Sequence, residues 1–293
     1  MFIRTFIKYL EVERGYSPHT LKAYETDLRL FDVFLRNVEN VMTVLDADSD
    51  LVRCWMADMM DKGCAASSVC RKLSSLRAFF VYMKSCGLVA ENPVASLHAP
   101  KKGKCLPAFV KEEDMNMLLD APFSDDEFLD VRDRALFSCF YEMGLRLSEL
   151  CGLTLADVDF VENQVKVSGK RNRERIVPFG ASLRASLQDY LALRSKVAIS
   201  DVDTFFVSRN GAALSASRIY KMVRSRLSLF STVKRKGPHT LRHTFATVML
   251  NNDAELGVVK ELLGHKQLST TEVYTHVTFE ELKKSYKKAH PRA

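Results

Sequence analysis

The chain has 293 residues, 47% of them apolar and 27% charged, ordinary values for a soluble globular protein and enough length for two compact domains or one large one. No apolar run approaches the roughly 20 residues of a membrane span, and seven cysteines, odd in number and none in a C-x-x-C pair, fit reduced thiols in a reducing compartment rather than a disulfide framework. The formal charge of +7 is carried wholly by residues 101–293, because residues 1–100 are balanced; this suits a polyanionic partner, although a mild basic bias is also common on solvated surfaces.

At the amino terminus Phe2, Ile3, Phe6, Ile7 and Leu10 recur at helical spacing until Gly15. Glu11 and Glu13 interrupt any leader-like pattern and no small-residue cleavage site follows, so an amphipathic helix in a cytoplasmic chain is expected. Ser17 and Pro18 supply an N-cap and a first-turn proline for a second helix carrying Leu21, Tyr24, Leu28, Phe31 and Leu35. A third is predicted from about Asp50 to Asp61, and a fourth from near Ser67 through Val69, Leu73, Leu76, Phe80 and Met83 to Gly87. Four helices over residues 1–90 make a small bundle. Residues 91–108 contain Pro93, Pro100, Pro107, Gly103, Lys101, Lys102 and Lys104 with no apolar periodicity and read as a basic linker, either a solvated connector or a strap along a phosphate backbone.

Residues 109–293 form the second predicted domain. Helical patterns cover Lys111 to Leu119, Val131 to Met143, Leu147 to Leu153, Ser182 to Leu193, Ser215 to Leu229, Thr240 to Leu250, Glu255 to Leu263 and Phe279 to Lys288. The convincing β signal is Gln164 to Ser168, a basic turn from Gly169 to Arg173, then Arg175 to Pro178, a hairpin. The fold class is therefore mainly α, a four-helix domain followed by a mostly helical one with a small β-hairpin or sheet.

Four segments carry groups with chemistry, and each is ambiguous alone. In Tyr141–Leu150, Gly144 ends one helix and Arg146 opens the next, where it can bind an anion or simply pair Glu149 at i,i+3 on the surface. The hairpin tip holds Lys170 among Arg171, Arg173 and Arg175; solvated turn charges are the plain reading, and a lysine reaching a phosphate as a proton donor is the sharper one. Gly237–Thr247 opens a helix with Pro238 and puts His239 and Arg242 three apart. His239 and His243 also have the spacing of zinc helices, but the glutamate expected beside the first histidine is absent and Arg242 on the same turn disfavours a cation. In Leu262–Val277, His265 and Tyr274 flank a Ser269–Thr270 helix start, and a tyrosine between Val273 and Val277 reads by default as a core residue.

Together, two arginines, a lysine, two histidines and a tyrosine are the groups that transesterification at a phosphodiester needs. Two guanidiniums bind the non-bridging oxygens and neutralise charge as the phosphorane forms. Imidazoles help deprotonate a phenol whose free pKa is about 10, and a cation protonates the departing 5′ oxygen. No metal ion is required by this scheme.

These segments resemble those of the tyrosine recombinase, or phage-integrase, family, and most closely its Xer-type site-specific recombinases. The family patterns G-L-R-x-S-E-L, G-K in a hairpin, H-x-L-R-H-x-F-A-T, L-L-G-H and S-T-T-x-x-Y-T-H occur in order. The resemblance implies an amino-terminal SAM-like, core-DNA-binding domain and a carboxy-terminal catalytic domain that clamp double-stranded DNA at a core site. It implies that Arg146 and Arg242 hold the scissile phosphate, Lys170 is the general acid, His239 and His265 position and exchange protons, and Tyr274 forms a 3′-phosphotyrosyl link, without cofactor, metal or ATP. It further implies homo- or heterotetramers on two duplexes, with a second recombinase and a DNA translocase as candidate partners and a role for Glu280 to Lys288 on a neighbouring subunit. Where Xer-type hairpins read G-K-G-N-K-E-R, this chain has Arg171 and Arg173. Chromosome-dimer resolution at cell division is the expected task; integration or excision of a mobile element uses the same chemistry. A non-catalytic architectural DNA-binding protein and a zinc hydrolase built on His239 and His243 are the readings from other classes.

Overall fold

A computed structural model describes residues 1–37, 43–100, 108–169, 174–199, 202–264 and 279–293. The chain divides into two compact units, Met1–Cys105 and Leu106–Ala293, each with its own core.

The first unit is built on α1 (Phe2–Val12), α2 (Pro18–Leu35), α3 (Ser49–Asp61) and α4 (Ala66–Ser85). Ser17 caps α2 through the Thr20 amide, and Asp48 caps α3 through the Asp50 and Leu51 amides, filling orphan donors that a helix start leaves open. The apolar stripes meet in a core of Phe6, Leu28, Phe31, Trp55, Phe79 and Phe80, with Phe31 tilted against Trp55 at 4.9 Å between ring centroids. Asp27 is buried among these helices, and its Oδ2 takes hydrogen bonds from Ser75 Oγ, at 2.8 Å, and from Arg71, so among the described residues the carboxylate sunk in this bundle has a cationic partner.

The second unit contains α5 (Glu112–Asp120), α6 (Glu127–Met143), α7 (Leu147–Gly152), a sheet of β1 (Val158–Asp159), β2 (Gln164–Ser168) and β3 (Glu174–Pro178), then α8 (Ala181–Val197), α9 (Ala216–Phe230), α10 (Pro238–Asn251), α11 (Leu256–Leu263) and α12 (Phe279–Ala289). Helix α6 is buried along most of its length and packs against α8 and α10. It begins a turn earlier than its apolar pattern suggests because Asp126 caps it through the Leu129 amide. The sheet is antiparallel in the order β1-β2-β3, with Val165 opposite Val177 and Val167 opposite Arg175. Two-residue β1 has too short a run for its alternation to be read in advance.

Helix α12 packs on α10, α11 and β3 of its own unit, burying Leu282, Tyr286 and Ala289. Arg292 then hydrogen-bonds Asn116, and His290 Nε2 lies 3.2 Å from the Tyr141 carbonyl. Among the described residues no helix is long and apolar enough to cross a membrane.

Candidate active site

The site is assembled where α6 turns into α7. Gly144 ends α6 in the left-handed conformation, φ +59°, and a Cβ there would stand 2.5 Å from the Phe245 ring; only glycine fits both the backbone and the space. Released by that turn, Arg146 takes the N-cap position of α7 and Glu149 follows three residues later. The Glu149 carboxylate accepts the Arg146 backbone N–H at 2.8 Å and its Nη1 at 2.6 Å. The i,i+3 pair expected from a bland reading therefore exists, but it is no surface pair: the Glu149 side chain is 1% exposed.

Two more arginines converge on the same carboxylate. Arg175, from β3, makes a bidentate fork, Nη1 to Oε1 at 2.8 Å and Nη2 to Oε2 at 2.9 Å. Arg242, from the second turn of α10, brings Nη1 to 3.9 Å from Oε2 and donates Nη1 to the Gly144 carbonyl at 2.7 Å. The carboxy-terminal end of α11 completes the frame. Its carbonyls at Leu262, Leu263 and Gly264 accept from Arg175, Arg242 and Arg146 respectively. Helix-end carbonyls lack intrahelical partners and carry partial negative charge, so three cations are gathered without three carboxylates to cancel them.

The electrostatics follow from that imbalance. Burial favours a neutral Glu149, but hydrogen bonds from Arg175 and Arg146 overcome it and bring the carboxyl down to about 2. Arg242 is lowered to about 10 by burial and by Arg146 and stays charged at neutral pH. One carboxylate against three guanidiniums leaves net positive charge, and Arg146, whose side chain is 31% exposed, turns part of it outward. Such an arrangement binds an anion of phosphate size and can stabilise charge growing on its oxygens.

His239 lies in the first turn of α10 and is exposed, while Arg242 on the next turn is buried. His243 is exposed beside His239, and burial together with His239 and Arg242 lowers its pKa. A cleft of about 730 Å³ opens next to His239, lined by Tyr220 and Arg224 of α9 and by Lys234, Arg235 and Lys236. Among the described residues no group of three or more His, Cys, Asp or Glu side chains could hold a metal ion.

Residues 108–281 match the Phage integrase family, and residues 3–87 match the Phage integrase, N-terminal SAM-like domain. The chain belongs to the phage integrase family. Tyrosine recombinase XerC of Halalkalibacterium halodurans is 40% identical to it over 100% of this chain and 98% of its own. Tyrosine recombinase XerC of Thermodesulfovibrio yellowstonii is 38% identical over 99% of this chain and 96% of its own. Among solved structures, the Tn1549 transposon integrase in complex with a circular intermediate DNA shares the fold, with a TM-score of 0.75 and 19% identity over 98% of this chain and 99% of that one. Membership makes this chain a DNA strand-exchange enzyme of the tyrosine recombinase type, mainly helical with a SAM-like amino-terminal domain, as its motifs lead one to expect.

Of the six residues singled out in the sequence, Arg146 and Arg242 meet around one carboxylate, and His239 stands at the mouth of the basic cleft. Lys170, His265 and Tyr274 lie outside the described residues. In the sequence alone Glu149 stands only as a surface partner of Arg146, Arg175 only as a charge at the hairpin, and Lys234, Arg235 and Lys236 belong to no motif. A signal for Arg175 was available: it stands at an inward position of a strand whose alternation calls for an apolar side chain.

Proposed function

We propose that this recombinase cuts and rejoins double-stranded DNA through a 3′-phosphotyrosyl intermediate on Tyr274. Arg146 and Arg242 hold the scissile phosphate, Lys170 protonates the 5′ leaving oxygen, and His239 and His265 position and exchange protons. The observation that carries this reading is the pairing of Arg146 and Arg242 around buried Glu149, an array with more positive than negative charge and with one guanidinium partly open to solvent. Each proton and charge in the reaction then has a side chain to handle it, so neither metal nor ATP is needed; the phosphotyrosyl bond conserves the energy of the phosphodiester it replaces. The basic cleft beside His239 suits continuation of the DNA backbone from the scissile position.

Exchange between two duplexes requires four such sites, so the working form is a homo- or heterotetramer, with a second recombinase and a DNA translocase as candidate partners, in the cytoplasm. Resolution of chromosome dimers at cell division is the favoured task, supported by 38–40% identity along the whole chain to proteins named tyrosine recombinase XerC. Integration or excision of a mobile element is the second reading, favoured by the likeness in fold to a transposon integrase. A nicked suicide duplex carrying the core site is the direct test. Covalent protein–DNA complex should accumulate in EDTA without nucleotide and vanish in Tyr274→Phe; a complex that persists in that variant, or one that needs a divalent ion, overturns the mechanism.

A further inference from the structure

The register of the sheet places Arg175 opposite buried Val167 and two residues before buried Val177, on the inward side of β3. A guanidinium at such a position is costly to desolvate unless its donors are satisfied. They are directed into the protein: Nε to the Leu262 carbonyl at 2.8 Å and the two terminal nitrogens to the two oxygens of Glu149. Its side chain is 10% exposed, against 31% for Arg146. Gly264 closes the far side, since a Cβ on it would come within 3.2 Å of Arg175 Cδ.

The consequence lies in how Glu149 is shared. A carboxylate with both oxygens free pairs an arginine bidentately, which would draw both terminal nitrogens of Arg146 inward. Arg175 already occupies that fork, so Arg146 reaches Glu149 through Nη1 alone, and its Nη2 goes to the Gly264 carbonyl at 3.0 Å. The Arg146 guanidinium is thereby held through one nitrogen on each acceptor and stays partly exposed at the surface of the cluster.

We infer that Arg175 is a positioning residue for strand cleavage: by holding Glu149 in a bidentate fork it keeps Arg146 turned toward the scissile phosphate, without itself touching DNA. This rests on the phosphate clamp proposed above for Arg146 and Arg242.

The test is single-turnover cleavage of the nicked suicide duplex by the full chain, parent against Arg175→Lys and Arg175→Ala, with DNA affinity measured separately. Lysine keeps the charge and loses the fork. Both variants should cleave about 10- to 100-fold more slowly, the range typical for outer partners that orient a reacting group, while binding the duplex within about twofold of the parent. A second duplex with a neutral methylphosphonate at the scissile position lacks one anionic oxygen and so asks less of the guanidiniums; on it the deficit of Arg175→Lys should shrink to less than about threefold. Parental cleavage rates in folded variants, an equal loss of affinity and rate, or an undiminished deficit on methylphosphonate would overturn the inference. Failure of both variants to fold would make Arg175 a structural strut and overturn it equally. If the parent itself forms no covalent complex, the clamp reading falls first and takes this one with it.

Discussion

Glu149 shows how one buried charge organises several exposed tasks. Its two oxygens serve the Arg146 amide and side chain, the Arg175 fork and, at longer range, Arg242, so its removal strands cations in a poorly solvated place. Breaking a buried pair by deleting one partner costs roughly 3–5 kcal/mol. Glu149→Gln is therefore expected to lower the urea midpoint of the second unit and to slow covalent complex formation, without weakening DNA binding, because the site becomes more positive. A variant with the parent's midpoint and cleavage rate would show that the carboxylate organises nothing. The pH dependence has a definite sign. With a folded value near 2 below the ordinary 4.3, Glu149 stabilises fully above pH 4.3, and its contribution is lost as pH falls from there toward 2. Acid unfolding of the Gln variant should have a shallower limb in that window. At this scale the sequence disclosed residue types better than relations. Arg146 and Arg242 were recognisable because their chemistry recurs in an ordered pattern, whereas the role of Arg175 depends on a carboxylate 26 positions away and on a strand register that only the fold supplies.

Elements whose borders are written in local chemistry were legible in advance. Ser17-Pro18 opens α2 and glycines close α6 and α11, because caps and left-handed turns use few residue types. The early start of α6 was less visible, since it depends on Asp126 accepting a particular amide and not on apolar spacing. Gly144 connects local turn to active site most tightly: its carbonyl holds Arg242, its conformation releases Arg146, and its missing side chain admits Phe245. In Gly144→Ala the left-handed backbone alone costs roughly 1–2 kcal/mol, and the new methyl meets Phe245 one turn beyond Arg242 on α10. The helix must shift or the ring must leave its rotamer. Differential scanning calorimetry should show a lower transition temperature, and suicide-substrate cleavage should fall with it. Retention of both would mean that the α6–α7 turn is not what fixes Arg242.

Across the whole molecule, the two units carry different electrostatic risks. The first pairs buried Asp27 with Arg71 and Ser75, whereas the second buries Glu142 on α6 with neither oxygen in a hydrogen bond of ordinary geometry. Its charge acts on Cys139 and Tyr141 of α6 and on Tyr286 of α12, and Arg292 acts on it in turn. Burial raises Glu142 to about 8, opposed only in part by Arg292 and the Leu183 amide. Burial also lowers His290 to about 4, and it pushes Cys139 and Tyr286 far up, outside the neutral range. Between the ordinary carboxylate value and about 8 the folded chain holds a proton on Glu142 that the unfolded chain has released, so stability falls as pH rises. His290 acts oppositely from about pH 4 to its unfolded value near 6.5, because there the unfolded state binds the extra proton. The two slopes offset each other below about pH 6.5, leaving an uncompensated decline from there to about pH 8, at up to ~1.4 kcal/mol per pH unit for one proton. Glutamine is isosteric with the protonated acid and has no proton to release on unfolding, so Glu142→Gln should already be more stable than the parent at pH 6, and its advantage should widen up to about pH 8. Chemical denaturation of both proteins across pH 6–9 decides the matter, and parallel declines would place the sensitivity on other groups. If the difference follows the second unit's transition and leaves the first unit's unchanged, the pH sensitivity is traced to the buried carboxyl of α6.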